Sequence, residues 1–186
     1  MKKTKKRTVP ADPFRIRREL TTHEQRVKWL LHFANQPGVE KLTPGEVDEL
    51  REYLFWFAAK GQDTFGTAGE SLTAAALYEI QDALRSGLRQ AIRLDDSRVH
   101  GFVGWETSLD SVKRRVSRGR SAYQGTPRAT FLAAVADLIA EDSEKRFEIC
   151  ARPTCERFFW KHGPAKYCSK LCADADRQKR WRTKER

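Results

Sequence analysis

Residues 146–186 read RFEICARPTCERFFWKHGPAKYCSKLCADADRQKRWRTKER and hold every cysteine of the chain. The spacing is Cys150-x4-Cys155-x12-Cys168-x3-Cys172. Two short-range pairs separated by a loop can wrap a tetrahedral ion with little chain strain. Four thiolates leave no open coordination position, so the pattern predicts one structural Zn2+ held by Cys150, Cys155, Cys168 and Cys172. A disulfide framework needs an oxidising compartment, and paired cysteines in an intracellular chain are more often metal ligands. A module of roughly 40 residues cannot fold on its own small core. Zinc contributes on the order of 10–16 kcal/mol at such a site, enough to decide whether it folds.

Between the two cysteine pairs lie Phe158-Phe159-Trp160, then Gly163-Pro164, then Tyr167. Aromatics on both sides of a Gly-Pro turn predict a short hairpin over the metal, running forward across that turn. Ser169 suits an N-cap, which places Cys172 in the first turn of a helix, where the dipole favours a thiolate. Knuckle, hairpin and ligand-bearing helix make a treble-clef arrangement. His162 is expected at the surface, because the four sulfurs already complete the tetrahedron.

These residues resemble the CGNR-type zinc finger of bacterial proteins, in which a zinc module follows a helical domain called ABATE. The matching positions are Cys150-Ala151-Arg152-Pro153-Thr154-Cys155, Phe158-Phe159, Lys166-Tyr167-Cys168-Ser169, Cys172 and the basic helix ending Arg180-Trp181-Arg182. The segment TFLAAVADLIAEDSEKRFEIC resembles the connection that enters that finger. The tetrapeptide that names the family is not matched, since Ala173-Asp174-Ala175-Asp176-Arg177 follows Cys172. The resemblance implies a zinc-dependent DNA-binding regulator of transcription.

Upstream, the apolar positions recur at helical spacing. Val27, Leu30, Leu31 and Ala34 mark one helix, closed by Pro37-Gly38. Thr43-Pro44-Gly45-Glu46 is a capping box with proline at the first helical position, and Val47, Leu50, Leu54 and Phe57 follow on one face. Gly61 is a candidate stop and 61–70 a loop. Leu77, Ile80, Leu84, Leu88 and Ala91 mark the longest helix, and Phe131, Val135, Leu138 and Ile139 one that starts at Thr126-Pro127. Residues 95–125 give the weakest pattern, with a short extended piece expected around Val99–Trp105. The fold class expected is mainly α: a flexible basic arm over 1–20, an all-α domain over 21–144, and a zinc finger over 145–186.

Charge divides along the same lines. The formal charge is +6 over 1–20, −3 over 21–144 and +8 over 145–186. Two basic ends on a near-neutral body predict contact with a polyanion. On the last helix, Arg177, Arg180, Trp181 and Lys184 fall at i, i+3, i+4 and i+7, with Lys179 and Arg182 widening the charge. Arginine and lysine neutralise phosphates, and an indole can stack on a base. Six such contacts imply a loss of around 10³ in affinity between about 50 and 200 mM salt. The partner expected is therefore nucleic acid, with DNA the first candidate. A protein-interaction module is the rival, with Phe158, Phe159 and Trp160 forming an exposed apolar patch. The helical domain is left the role of sensing a ligand or of contacting a second copy or a protein partner.

Enzyme activity is not expected. His23, His32 and His100 are scattered without partners in the sequence pattern, and no Gly-rich phosphate loop or nucleophile elbow occurs. Glu46, Glu49 and Glu52 have the spacing of a solvated helix face. No apolar run approaches the roughly 18–20 residues that cross a bilayer, and no apolar segment follows the basic N-terminus as in a secretory signal. No membrane partner and a cytoplasmic location are expected.

Overall fold

Each α-helix with defined bounds starts on a hydroxyl residue. In the computed structural model, which describes residues 16, 18–59, 72–96, 113–117, 120–141, 146–161 and 163–184, these helices are α1 His23–Asn35, α2 Pro44–Ala58, α3 Ala74–Asp96, α4 Pro127–Ala140 and α5 Lys170–Lys184. Before α1, the Thr22 N–H donates to Gln25 Oε1 at 2.9 Å, and the Gln25 N–H donates back to Thr22 Oγ1 at 3.2 Å. Such reciprocal bonds satisfy donors that a helix start leaves unpaired. Before α2, Thr43 and Glu46 form the predicted capping box, with the Thr43 N–H donating to Glu46 Oε2 at 2.8 Å. Thr73, Thr126 and Ser169 cap α3, α4 and α5 by accepting the N–H of Ala76, Ala129 and Cys172 at 3.2, 3.3 and 3.3 Å.

The helical spacing of the sequence becomes burial. Val27, Leu30 and Ala34, then Val47, Leu50, Leu54 and Phe57, then Leu77, Ile80, Leu84 and Leu88, then Phe131, Val135 and Leu138 are all buried. Leu31, Ala91 and Ile139 lie at the margin, half-buried. The chain forms two compact units that interleave along the sequence. One comprises Met1–Arg26, Pro37–Ile80 and Thr107–Val135; the other comprises Val27–Gln36, Gln81–Glu106 and Ala136–Arg186. In the first unit, Phe57 and Phe131 meet with ring centroids 5.2 Å apart, and the Arg26 guanidinium lies 4.7 Å from the centre of the Phe57 ring.

In the second unit, the C-terminus of α1 is closed by side chains of α3. Gln81, only 1% exposed, donates from Nε2 to the carbonyls of Phe33 and Gln36 at 2.6 and 2.8 Å. Arg85 donates from Nε to Ala34 O at 2.7 Å and from a terminal nitrogen to Gln36 O at 3.2 Å. The last carbonyls of a helix have no partner of their own, and cationic or amide donors there satisfy them while opposing the dipole.

Two hairpins accompany the helices. Strands β1 Lys113–Ser117 and β2 Arg120–Gln124 pair antiparallel, with Ser117 opposite Arg120. This hairpin lies inside the stretch expected to be all-α, because the basic run VKRRVSRGR lacks the alternation of apolar and polar residues that signals a half-buried strand. Strands β3 Arg146–Ile149 and β4 Phe158–Lys161 form the second, within the cysteine module. The mainly helical class holds. The expected extended piece at Val99–Trp105, the loop at 61–70, Gly61, His100, His162 and residues 1–15 and 17 of the basic arm lie outside the described residues. The end of the stretch expected to be a flexible arm is part of the core: Ile16 and Leu20 are fully buried, because their apolar side chains pack with the helices while most of the arm's charges cluster before them. No helix among the described residues is long and apolar enough to cross a membrane.

Candidate metal centre

The cysteine module is built around the β3–β4 hairpin and the start of α5. Ile149 stands opposite Phe158, and the Cys150 N–H donates to Arg157 O at 3.0 Å, so residues 150–157 are the loop that joins the two strands. Within that loop the Cys155 N–H donates to Arg152 O at 2.9 Å, a tight turn that brings Cys155 back towards Cys150. The Ala151 N–H donates to Lys166 O at 2.9 Å and fixes the chain just ahead of Cys168. Gly163 has φ +59°, a backbone state that glycine adopts without the steric cost borne by other residues. Ser169 then caps α5, and Cys172 lies in its first turn, as the sequence predicts.

The hairpin departs from expectation in its direction. Phe158-Phe159-Trp160 does form a strand, but it pairs backwards with Arg146–Ile149 and not forwards across Gly163-Pro164. The forward segment delivers Cys168 and starts α5, and among the described residues its backbone link to the knuckle is the bond from Ala151 to Lys166, in place of a ladder. The backward pairing also removes the expected apolar patch: Phe158 and Phe159 are buried, and Trp160 is half-buried opposite Phe147. Lys161 and Glu148 close the outer end of the hairpin with an ion pair of 2.9 Å.

The four sulfurs lie within 4.8 Å of one another. Cys168 Sγ is 3.7 Å from both Cys155 Sγ and Cys172 Sγ. A disulfide requires about 2.05 Å. A tetrahedron of thiolates with metal–sulfur bonds of about 2.3 Å places its sulfurs about 3.8 Å apart. The two 3.7 Å pairs already have that spacing, and all four sulfurs lie close enough together to hold one metal ion. Cys150 and Cys172 are buried, and Cys155 and Cys168 are half-buried. As a free thiol Cys168 is pushed up to about 12, by burial first and then by the neighbouring sulfurs. Cys172 is drawn down to about 7, chiefly by hydrogen bonding from the Ser169 side chain. A cation among them would relieve the first and exploit the second, since metal ligation deprotonates thiols.

On α5 a brace runs behind the cysteine cluster. Tyr167 donates its hydroxyl to Asp176 Oδ2 at 2.7 Å, and Arg180 donates to the same oxygen from Nε at 2.7 Å and to Tyr167 Oη at 2.7 Å. These contacts hold the Asp176 carboxyl below its usual range, the Tyr167 hydroxyl contributing most. Arg180 is therefore engaged inside the module. Arg177 makes an exposed ion pair with Asp174 at 3.5 Å. Trp181 is 67% exposed, and Lys179 and Arg182 are exposed as well. Lys184 is the last residue of α5.

The module is anchored to helices of the same unit by residues that the sequence does not reveal as a site. Asn35 Nδ2 donates to Phe158 O at 2.8 Å, and the Phe158 N–H donates to Asn35 Oδ1 at 2.9 Å. Arg89 of α3 lies 5.8 Å from the centre of the Phe158 ring and 3.8 Å from Glu156. A cavity of about 230 Å³ follows this seam, bordered by Asn35, Arg85, Arg89, Glu156, Arg157 and Phe158. The only sequence signal for Gln81 is a polar residue beside the Leu77–Ile80–Leu84–Leu88 stripe. Comparison of the chain with protein-family models, with curated proteins and with solved structures finds no match.

Proposed function

We propose that the protein binds nucleic acid, DNA in the first instance, through a zinc-stabilised treble-clef module, and that it regulates transcription in a bacterium. Cys150, Cys155, Cys168 and Cys172 would hold one Zn2+, which supplies a structural crosslink and no reactive position, because four thiolates close the coordination shell. The reading is of a binding protein and not an enzyme. The observation that carries it is the outer face of α5, where Trp181 stands 67% exposed with the exposed side chains of Arg177 and Arg182 beside it. Cations neutralise phosphates, and an uncovered indole offers a stacking surface. The resemblance to the CGNR-type finger supports the regulatory role. The helical residues would sense a ligand or contact a second copy.

The engagement of Arg180 with Asp176 and Tyr167 lowers the number of phosphate contacts expected from α5. Each lost contact reduces the salt slope by about 0.9 for duplex DNA. The test is a titration of labelled DNA with the zinc-loaded protein at about 50 and 200 mM salt. Affinity that falls with salt, and a shallower slope in the Arg177→Ala, Arg182→Ala variant with its zinc retained, would support the reading. Absence of DNA binding at the lower salt would refute it.

The rival, a protein-binding module, is favoured by one observation: Leu171 at the start of α5 is 80% exposed. Binding of that kind would change little with salt, which separates the two.

A further inference from the structure

Helix α5 has two electrostatic halves. Its first turn carries the exposed Lys170 and Leu171, and Asp174 and Asp176 follow in the second, Asp174 paired with Arg177. Arg180 is turned back onto Asp176 and Tyr167. The outward cations with described side chains in the second half include Arg177 and Arg182, on either side of Trp181 around the helix at 100° per residue. A helix that reads the major groove presents its N-terminal residues to base edges. Here the exposed aromatic side chain, Trp181, lies at the opposite end of the helix from those positions.

The indole points to another geometry. Base faces are covered by stacking within a duplex, where only their edges line the grooves. An unpaired strand exposes those faces, and an aromatic side chain flanked by cations is the device that binds it. We infer that the ligand of this face is single-stranded nucleic acid, with Trp181 stacking on an unpaired base and Arg177 and Arg182 holding the flanking phosphates. The inference rests on the nucleic-acid reading above and narrows it to strand type. A single strand has a lower charge density than a duplex, so the expected salt slope is shallower, about −0.7 per contact against −0.9.

The experiment compares labelled single strands of about 20 nucleotides with duplexes of the same sequence, using the full-length zinc-loaded protein and anisotropy as the readout. The single strand should bind at least about tenfold tighter. Trp181→Ala should weaken single-strand binding by roughly 5- to 150-fold, the range spanned by stacking of one base. Trp181→Phe should retain most of it, and zinc content in both variants confirms that the module is intact. Duplex bound as tightly as single strand, or an Ala variant with unchanged single-strand affinity, overturns the inference and leaves the nucleic-acid reading standing. Failure to bind either form overturns both.

Discussion

Asn35 and Phe158, 123 residues apart in sequence, exchange two hydrogen bonds in which the side-chain amide of Asn35 takes the place of a neighbouring peptide group. The N–H and C=O of a strand residue point to the same side. Both groups of Phe158 go to Asn35, on the edge of β4 that faces away from β3. The last residue of α1 thus serves as a one-residue strand for the cysteine module.

Replacing Asn35 with Ala strands both backbone groups of the buried Phe158. Leaving such groups unpaired costs about 1–3 kcal/mol. Thermal unfolding should show a lower Tm, and hydrogen exchange should show faster exchange at the Phe158 amide. An unchanged amide would show that the bonds contribute nothing.

Gln81→Leu keeps the buried volume near its original size but withdraws the donor from the carbonyls of Phe33 and Gln36. A loss of about 1–3 kcal/mol is expected in chemical denaturation. A variant as stable as the parent would mean that Arg85 alone suffices to close α1.

Zinc should be present at one per chain and should be lost, with the structure of residues 146–184, on addition of a strong chelator. Protons compete with zinc for thiolates, and burial holds the Cys168 thiol far above the ordinary range. Zinc uptake near neutral pH should therefore release protons, and affinity should weaken as pH falls. Indicator dye in weak buffer measures the release. Zinc binding without it would exclude a thiolate site.

Asp176 gives a pH effect of defined sign. Its carboxyl is depressed by the Tyr167 hydroxyl and by Arg180, so the brace is intact above the ordinary aspartate range and is lost as pH falls through the depressed value. NMR titration of the Asp176 carboxyl carbon should give a midpoint below 3.8, the ordinary value, and Tyr167→Phe should raise it. A midpoint at or above the ordinary value would show that the brace does not form in solution.

Trp181→Ala should leave stability within about 0.5 kcal/mol, as substitutions at exposed positions do. A large drop in Tm would mean that the indole packs against the protein in solution, which would deny it to a ligand.

The cysteine cluster was legible because its chemistry is local: four thiols at short spacing, with a serine where the helix had to begin. Helix positions were legible for a similar reason, since Thr43, Thr126 and Ser169 mark starts that depend only on the next three residues. The pairing of β4 was not legible. Phe158-Phe159-Trp160 has the composition of a strand, but nothing in those side chains says whether Arg146–Ile149 or the segment after Gly163 supplies the partner. The β1–β2 hairpin was hidden by charge, as its arginines and lysines erase the alternation that marks a strand. Asn35 was hidden by distance, and its role exists only once α1 and β4 are brought together.

The position of the Asn35 amide has a consequence for how the protein behaves at high concentration. An open strand edge is a template on which a second chain can extend the ladder, and short hairpins are exposed to that kind of association. At Phe158 the outer hydrogen-bonding groups are already occupied by a side chain that offers no further edge beyond itself. A protein lacking Asn35 would reopen that edge at Phe158, and its tendency to associate should rise with concentration.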